Sequence, residues 1–129
     1  MLREVRLIGI LMLLAFTAVP REGSTAGDGL CEDAVTQREI NICMAAERDK
    51  ADAKLARIYE EVGAELSDKE RDDLEKAQQA WLQYRKLNCA AEAALYEGGT
   101  IKPAILLGCE AKLAEERVGE LRRIYDASR

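Results

Sequence analysis

Two stretches of the same form, "VTQREI" at residues 35–40 and "LSDKE" at 66–70, restrict what this chain can fold into. In each, a hydroxyl side chain (Thr36 or Ser67) is followed three residues later by a glutamate (Glu39 or Glu70). At that spacing the hydroxyl accepts from a free amide of a helix's first turn, and the carboxylate reaches back to the cap's own amide. Each stretch therefore predicts a helix start. Val35 and Ile40 also occupy the two positions of a hydrophobic staple at the first start. The second signal follows Leu66 directly, so the first helix ends there and the second turns back antiparallel to it.

The apolar pattern between and beyond these signals has helical spacing. Cys43, Met44, Ala51, Leu55, Ile58, Tyr59 and Val62 mark one face of the first helix. Leu74, Ala77, Trp81, Tyr84, Arg85, Asn88, Glu92 and Leu95 lie along one side of the second, with Leu82, Cys89, Ala93 and Tyr96 widening the apolar side, and Gly98-Gly99 ends it as glycine commonly ends a helix. Pro103 suits the first turn of a third helix, which continues through Cys109, Leu113, Val118, Leu121 and Tyr125. No segment alternates with period two. The expected fold is all-α: an elongated helical hairpin, each arm roughly 40–45 Å long at about 1.5 Å per residue, with a shorter third helix folded back on it. A shape with so little core per residue gains from covalent staples.

Export would supply them. Arg3 and Arg6 precede an unbroken apolar run, Leu7 to Val19, and Pro20 stops it. The run is short for a membrane span and has the layout of a secretory signal peptide, with Ser24-Thr25-Ala26 suiting cleavage after Ala26. Residues 1–26 are thus read as a signal peptide rather than an uncleaved anchor, and residues 27–129 as one exported helical domain. Cys31 follows Gly29-Leu30 well beyond Val19, which does not match a lipoprotein signal, so no stable membrane anchor is expected after cleavage.

Four cysteines in a short exported chain favour disulfides over metal ligation, and the chain has neither histidine nor C-x-x-C. Cys89 lies about two turns before the Gly-Gly loop and Cys109 about two turns after the restart at Pro103, so antiparallel helices bring them level. That pairs Cys89 with Cys109 and leaves Cys31 with Cys43. The rival is Cys43–Cys89 with Cys31–Cys109, because Cys43 and Cys89 stand nearly equidistant from the turn at Leu66-Ser67.

Charge narrows the choice of partner. Arg3, Arg6, Arg21, Glu4 and Glu22 leave with the leader, so the 19 basic and 24 acidic residues become 16 and 22, a mature net charge of −6. That balance opposes binding to nucleic acid or an anionic membrane and suits a cationic partner. Catalysis has little support: no nucleophile and base are placed together, and the adjacent pairs Glu60-Glu61 and Asp72-Asp73 point about 100° apart on a helix. No enzyme activity, metal or cofactor is expected. In "AQQAWLQYRKLNC" (77–89), Trp81, Tyr84 and Arg85 share a face. They read as packing, with Arg85 paired to a carboxylate such as Glu39 or Glu92; the alternative makes Trp81 an exposed anchor.

The ordered motifs resemble a known family. Cys31, "TQREINIC" (36–43), "KADAKLARIY" (50–59), "AQQAWLQYRKLNC", "EGGTIKP" (97–103), Cys109 and Arg117 together look like the LprI-type lysozyme inhibitor domain. The resemblance covers nearly all of the mature chain. It implies an exported, disulfide-bonded helical protein, with at least one relative that inhibits c-type lysozyme. The lipoprotein cysteine of the relative that names the family is missing here. C-type lysozymes are strongly cationic, so an acidic inhibitor would be steered toward them.

A competitive inhibitor must fill a sugar cleft that holds two carboxylates, so its inserted group should be neutral or basic. Gly98, Gly99, Thr100 and Lys102 have that character, although Gly98-Gly99 also serves as a simple cap and turn. Capping explains Thr36 and Glu39 but not Gln37 and Asn41, which share a face at i and i+4. Those two are either an exposed polar contact or a brace for the Cys31 segment.

Overall fold

The first helix, α1, runs Gln37–Glu65, with Thr36 as N-cap and both halves of the capping box formed. Glu39 donates its backbone amide to Thr36 Oγ1 at 3.2 Å, and Glu39 Oε2 accepts from the Thr36 amide at 2.8 Å. The second, α2, runs Asp68–Ala94 from a matching box at Ser67 and Glu70. The third, α3, runs Lys102–Ala127, with Pro103 in its first turn. This computed structural model describes residues 31–127, and among them there is no strand. The expected leader, residues 1–26, lies outside the described residues.

Three expectations need adjustment. The third helix is the shortest, but only just: it has 26 residues, against 27 in α2 and 29 in α1. The staple does not close, because Val35 is 88% exposed and buries nothing on Ile40. The tight link at Leu66-Ser67 does return α2 alongside α1, yet the backbones that run closest together are those of α1 and α3, then α2 and α3.

Side-chain size accounts for that ordering. Small residues line the α1–α3 seam: Ala51 on α1, Ala114 and Ala111 on α3, and Gly108, where an added Cβ would sit 3.7 Å from Met44 Sδ. Helices faced with alanine and glycine approach closely. Trp81 and the buried Arg85 of α2 are bulky and hold α2 farther from α1.

The apolar core sits toward the end of the bundle that carries the α1–α2 turn. Leu55, Ile58 and Val62 of α1 meet Leu74 of α2 and Val118 and Leu121 of α3, with Leu66, Trp81 and Tyr125 packed against them. Arg71 closes this end by donating from Nε to the Gly63 carbonyl (3.1 Å), which also accepts from the Leu66 amide at 3.4 Å, and from Nη2 to the Leu66 carbonyl (3.2 Å) just past the end of α1. The opposite end has less apolar burial and is held covalently. Cys89 pairs with Cys109, joining α2 to α3, and Cys31 with Cys43, tying the segment before α1 to its second turn. The rival pairing is excluded.

Candidate functional site

Between α2 and α3 the chain turns through the residues singled out as a possible inserted element. After Ala94 the helix tightens: the amides of Leu95, Tyr96 and Glu97 donate to carbonyls three residues back, at 3.0–3.2 Å. Gly98 then takes φ +77°, a left-handed conformation that costs an ordinary residue dearly. No atom lies within 4 Å of where its Cβ would be, and residues 94–101 are all exposed. The Gly99 amide donates to the Tyr96 carbonyl at 3.0 Å, and Thr100 is exposed.

Lys102 is not a free cation at this tip. Its ammonium pairs with Glu97 across the turn, and this hydrogen bond holds the Glu97 carboxyl below the usual carboxylate range. Apolar surface surrounds the glycines: Leu95 is 82% exposed, and Tyr96 and Ile101 are also open. Sequence reasoning did not single out these three as contact residues, because Leu95 and Tyr96 had been assigned to packing.

Gln37 and Asn41 are together but engaged with each other: Gln37 Nε2 donates to Asn41 Oδ1 at 2.9 Å on a half-buried face of α1's first turns. They lie in the helix segment enclosed by the Cys31–Cys43 bridge.

The "AQQAWLQYRKLNC" segment is mainly architectural. Trp81 is half-buried against the core, with the Arg85 guanidinium carbon 5.5 Å and the Arg117 guanidinium carbon 5.9 Å from the ring centroid. Two cations on one indole add attraction beyond area burial. Arg85 is buried, but its partner is Asp52 of α1, at 2.7 Å, rather than Glu39 or Glu92. Arg48 approaches the same carboxylate at 4.0 Å and Glu110 of α3 at 3.6 Å, so charges from all three helices meet along one line. Arg117 donates from Nε to Gln78 Oε1 at 3.0 Å and from Nη1 to Glu120 at 2.7 Å. Tyr84, expected to pack, is instead 54% exposed, because the inward line of α2 runs through Leu74, Trp81, Arg85, Cys89 and Ala93. Asp52 carried a weak signal in the sequence: it is a carboxylate next to Ala51 on the inward stripe of α1.

Among the described residues, no three histidine, cysteine, aspartate or glutamate side chains gather as a metal site, and no helix is long and apolar enough to cross a membrane. What the fold presents is a twice-bridged helical scaffold with an exposed glycine turn between α2 and α3.

Comparison with known proteins places that framework. The family model for lysozyme inhibitor LprI matches residues 31–121, most of the chain, and the chain belongs to that family. It is also 33% identical over 111 residues to an uncharacterized protein, R02472, of Rhizobium meliloti (strain 1021), covering 76% of this chain and 80% of the relative. No solved structure matches.

Proposed function

We propose that this protein is an exported inhibitor of c-type lysozyme, binding the enzyme stoichiometrically and protecting cell-wall peptidoglycan without catalytic turnover. Membership of the lysozyme inhibitor family carries this reading. The net charge of −5 over the full sequence supports it, because a strongly cationic enzyme is drawn to an acidic partner before contact. The two disulfides fit an oxidising compartment, in line with the leader read at residues 1–26 and a periplasmic or secreted location.

The turn at Gly98–Lys102 is the element we assign to the sugar cleft. It is exposed from Gly98 to Ile101 and carries no uncompensated charge: Lys102 is neutralised by Glu97, and Gly98, Gly99 and Thr100 offer backbone and hydroxyl hydrogen-bonding groups. Tyr96 and Ile101 then give apolar contact at the mouth of the cleft. Gln37 and Asn41, satisfied by each other, are assigned to bracing the Cys31 segment rather than to contact with the enzyme.

The test is a turbidimetric cell-wall lysis assay with increasing inhibitor at modest salt. The native protein should suppress lysis up to a one-to-one endpoint. Thr100→Glu, which brings a carboxylate to a cleft that already holds two, should abolish suppression while leaving the melting temperature unchanged. Full suppression by that variant would remove the turn from the mechanism. No suppression by the native protein at tens of micromolar would remove the function for that enzyme.

A second reading, an envelope module that binds some other exported protein, takes support from the same exposed turn. Recovery of one non-lysozyme partner from envelope extract, alongside silence in the lysis assay, would favour it.

A further inference from the structure

The outward face of α2 is unusual for this chain. Its inward side is committed through Leu74, Trp81, Arg85, Cys89 and Ala93. On the opposite side Gln83, Tyr84, Leu87, Ala91, Ala94 and Leu95 are all exposed, with Leu87 58% and Tyr84 54% open. Tyr84, Leu87, Ala91 and Ala94 recur at intervals of three, four and three, the spacing of a stripe that pairs with another helix. None of these positions is charged, although 33% of the chain is. Between Ala77 and Leu95 the only charges are Arg85, which is buried, and Lys86 and Glu92, which point about 100° or more away from the middle of the stripe. α1 and α3 pack on the far side and leave this face uncovered.

We propose that this face, from Gln83 to Leu95, is where two copies of the chain pair, with their second helices antiparallel about a twofold axis. Charge selects both the face and the direction. Each copy carries a net −5, so two copies repel wherever charged surface meets charged surface, and the neutral stripe lets them approach without apposing like charges. The acidic stretch from Glu60 to Glu75 surrounds the α1–α2 turn. Antiparallel pairing sends the two acidic ends to opposite extremes of the dimer and opposes the helix dipoles, whereas parallel pairing brings both ends together.

Side-chain volume selects the register. With Leu87 against the partner's Ala91, Tyr84 falls against the partner's Ala94 and Gln83 against the partner's Leu95, and the twofold axis repeats each contact. Every bulky apolar residue then faces a small or polar one. Sliding one helix by a full heptad repeat sets Tyr84 on Leu87 and leaves alanine facing alanine; parallel pairing sets Tyr84 on Tyr84. The stripe spans about 18 Å at about 1.5 Å per residue, so the interface is small and the dimer reversible.

Sedimentation velocity on the full-length expressed protein, from about 1 µM to about 500 µM, covers the affinities open to an interface of this size. A concentration-dependent monomer–dimer equilibrium is expected. Leu87→Glu should weaken it about tenfold or more by placing like charges across the contact, with an unchanged melting temperature because this side chain lies outside the core. Leu87→Ala should weaken it too, and the exchange Leu87→Ala with Ala91→Leu should restore it by reversing which copy supplies the large residue. A monomer at every concentration, a dimer indifferent to Leu87→Glu, or an exchange no better than Leu87→Ala alone would each overturn the proposal. None of these readouts depends on whether lysozyme is bound.

Discussion

The two disulfides should not contribute to stability in the same way, and removing them separately shows where the fold is weak. Cys89–Cys109 closes a segment of 20 residues and Cys31–Cys43 one of 12. The chain-entropy relation for cross-links gives about 3.3 kcal/mol for the first and about 2.8 kcal/mol for the second. Those values are close, but the native structure separates them. Cys89 is fully buried and joins α2 to α3 at the end away from the main apolar cluster, so nothing else of comparable strength holds these helices together there. Cys31–Cys43 holds a short segment without a buried residue, and that segment can detach while α1 persists from about Met44 onward.

Replacing Cys89 and Cys109 together by alanine should cost close to the full value. At about 4–8 °C per kcal/mol for a domain of this size, the melting temperature falls by roughly 13–26 °C. Replacing Cys31 and Cys43 should cost distinctly less, with hydrogen exchange accelerated only before about residue 44. Calorimetry on both variants, with exchange mapped by mass spectrometry, makes the comparison. Equal losses, or a Cys89/Cys109 variant melting within a few degrees of the native protein, would refute the view that the loop end depends on its bridge.

Other perturbations probe the packing and the caps. Arg85→Ala should destabilise by about 2–3 kcal/mol, through loss of the Asp52 pair and of the stack on Trp81, and a double-mutant cycle with Asp52→Ala should return a coupling of about 1–2 kcal/mol, discounted because Asp52 is partly exposed. Ala114→Leu should cost about 1–3 kcal/mol in a denaturant titration, since it forces bulk into the closest helix seam at a position with no exposure. Glu39 and Glu70 are held below the ordinary carboxylate value of 4.5, Glu39 chiefly by the Thr36 backbone amide and Glu70 chiefly by the Ser67 hydroxyl. Their capping contribution should therefore be complete above that value and fade as pH falls through their lowered folded values. A thermal melt series from pH 6 to about 2 checks this: Ser67→Ala should flatten the acid dependence, and an unchanged profile would contradict the assignment.

Much of this fold was legible because its helix ends are written in local chemistry. The Thr36–Glu39 and Ser67–Glu70 spacings located two helix starts without tertiary information, and Pro103 located the third. Level along the bundle was enough to favour Cys89–Cys109 over its rival. Rotation about a helix axis was harder to read. Tyr84 and Leu95 were placed inside because aromatic and aliphatic residues at helical spacing usually are, but α2 carries two such stripes and only one can face α3 and α1. Arg85 was correctly expected to be paired, yet Asp52 lies on another helix, and its approach depends on how far Trp81 props α2 away from α1. The turn at Gly98–Lys102 was recognised from its glycines, whereas the Glu97–Lys102 pair that neutralises it emerges only once both side chains are placed on one turn.

Calorimetric titration of the protein into a purified c-type lysozyme tests the central claim most directly. The account predicts saturable one-to-one binding that weakens as salt is raised, since steering by net charge is screened beyond a Debye length. No heat and no complex at tens of micromolar in low salt would contradict it.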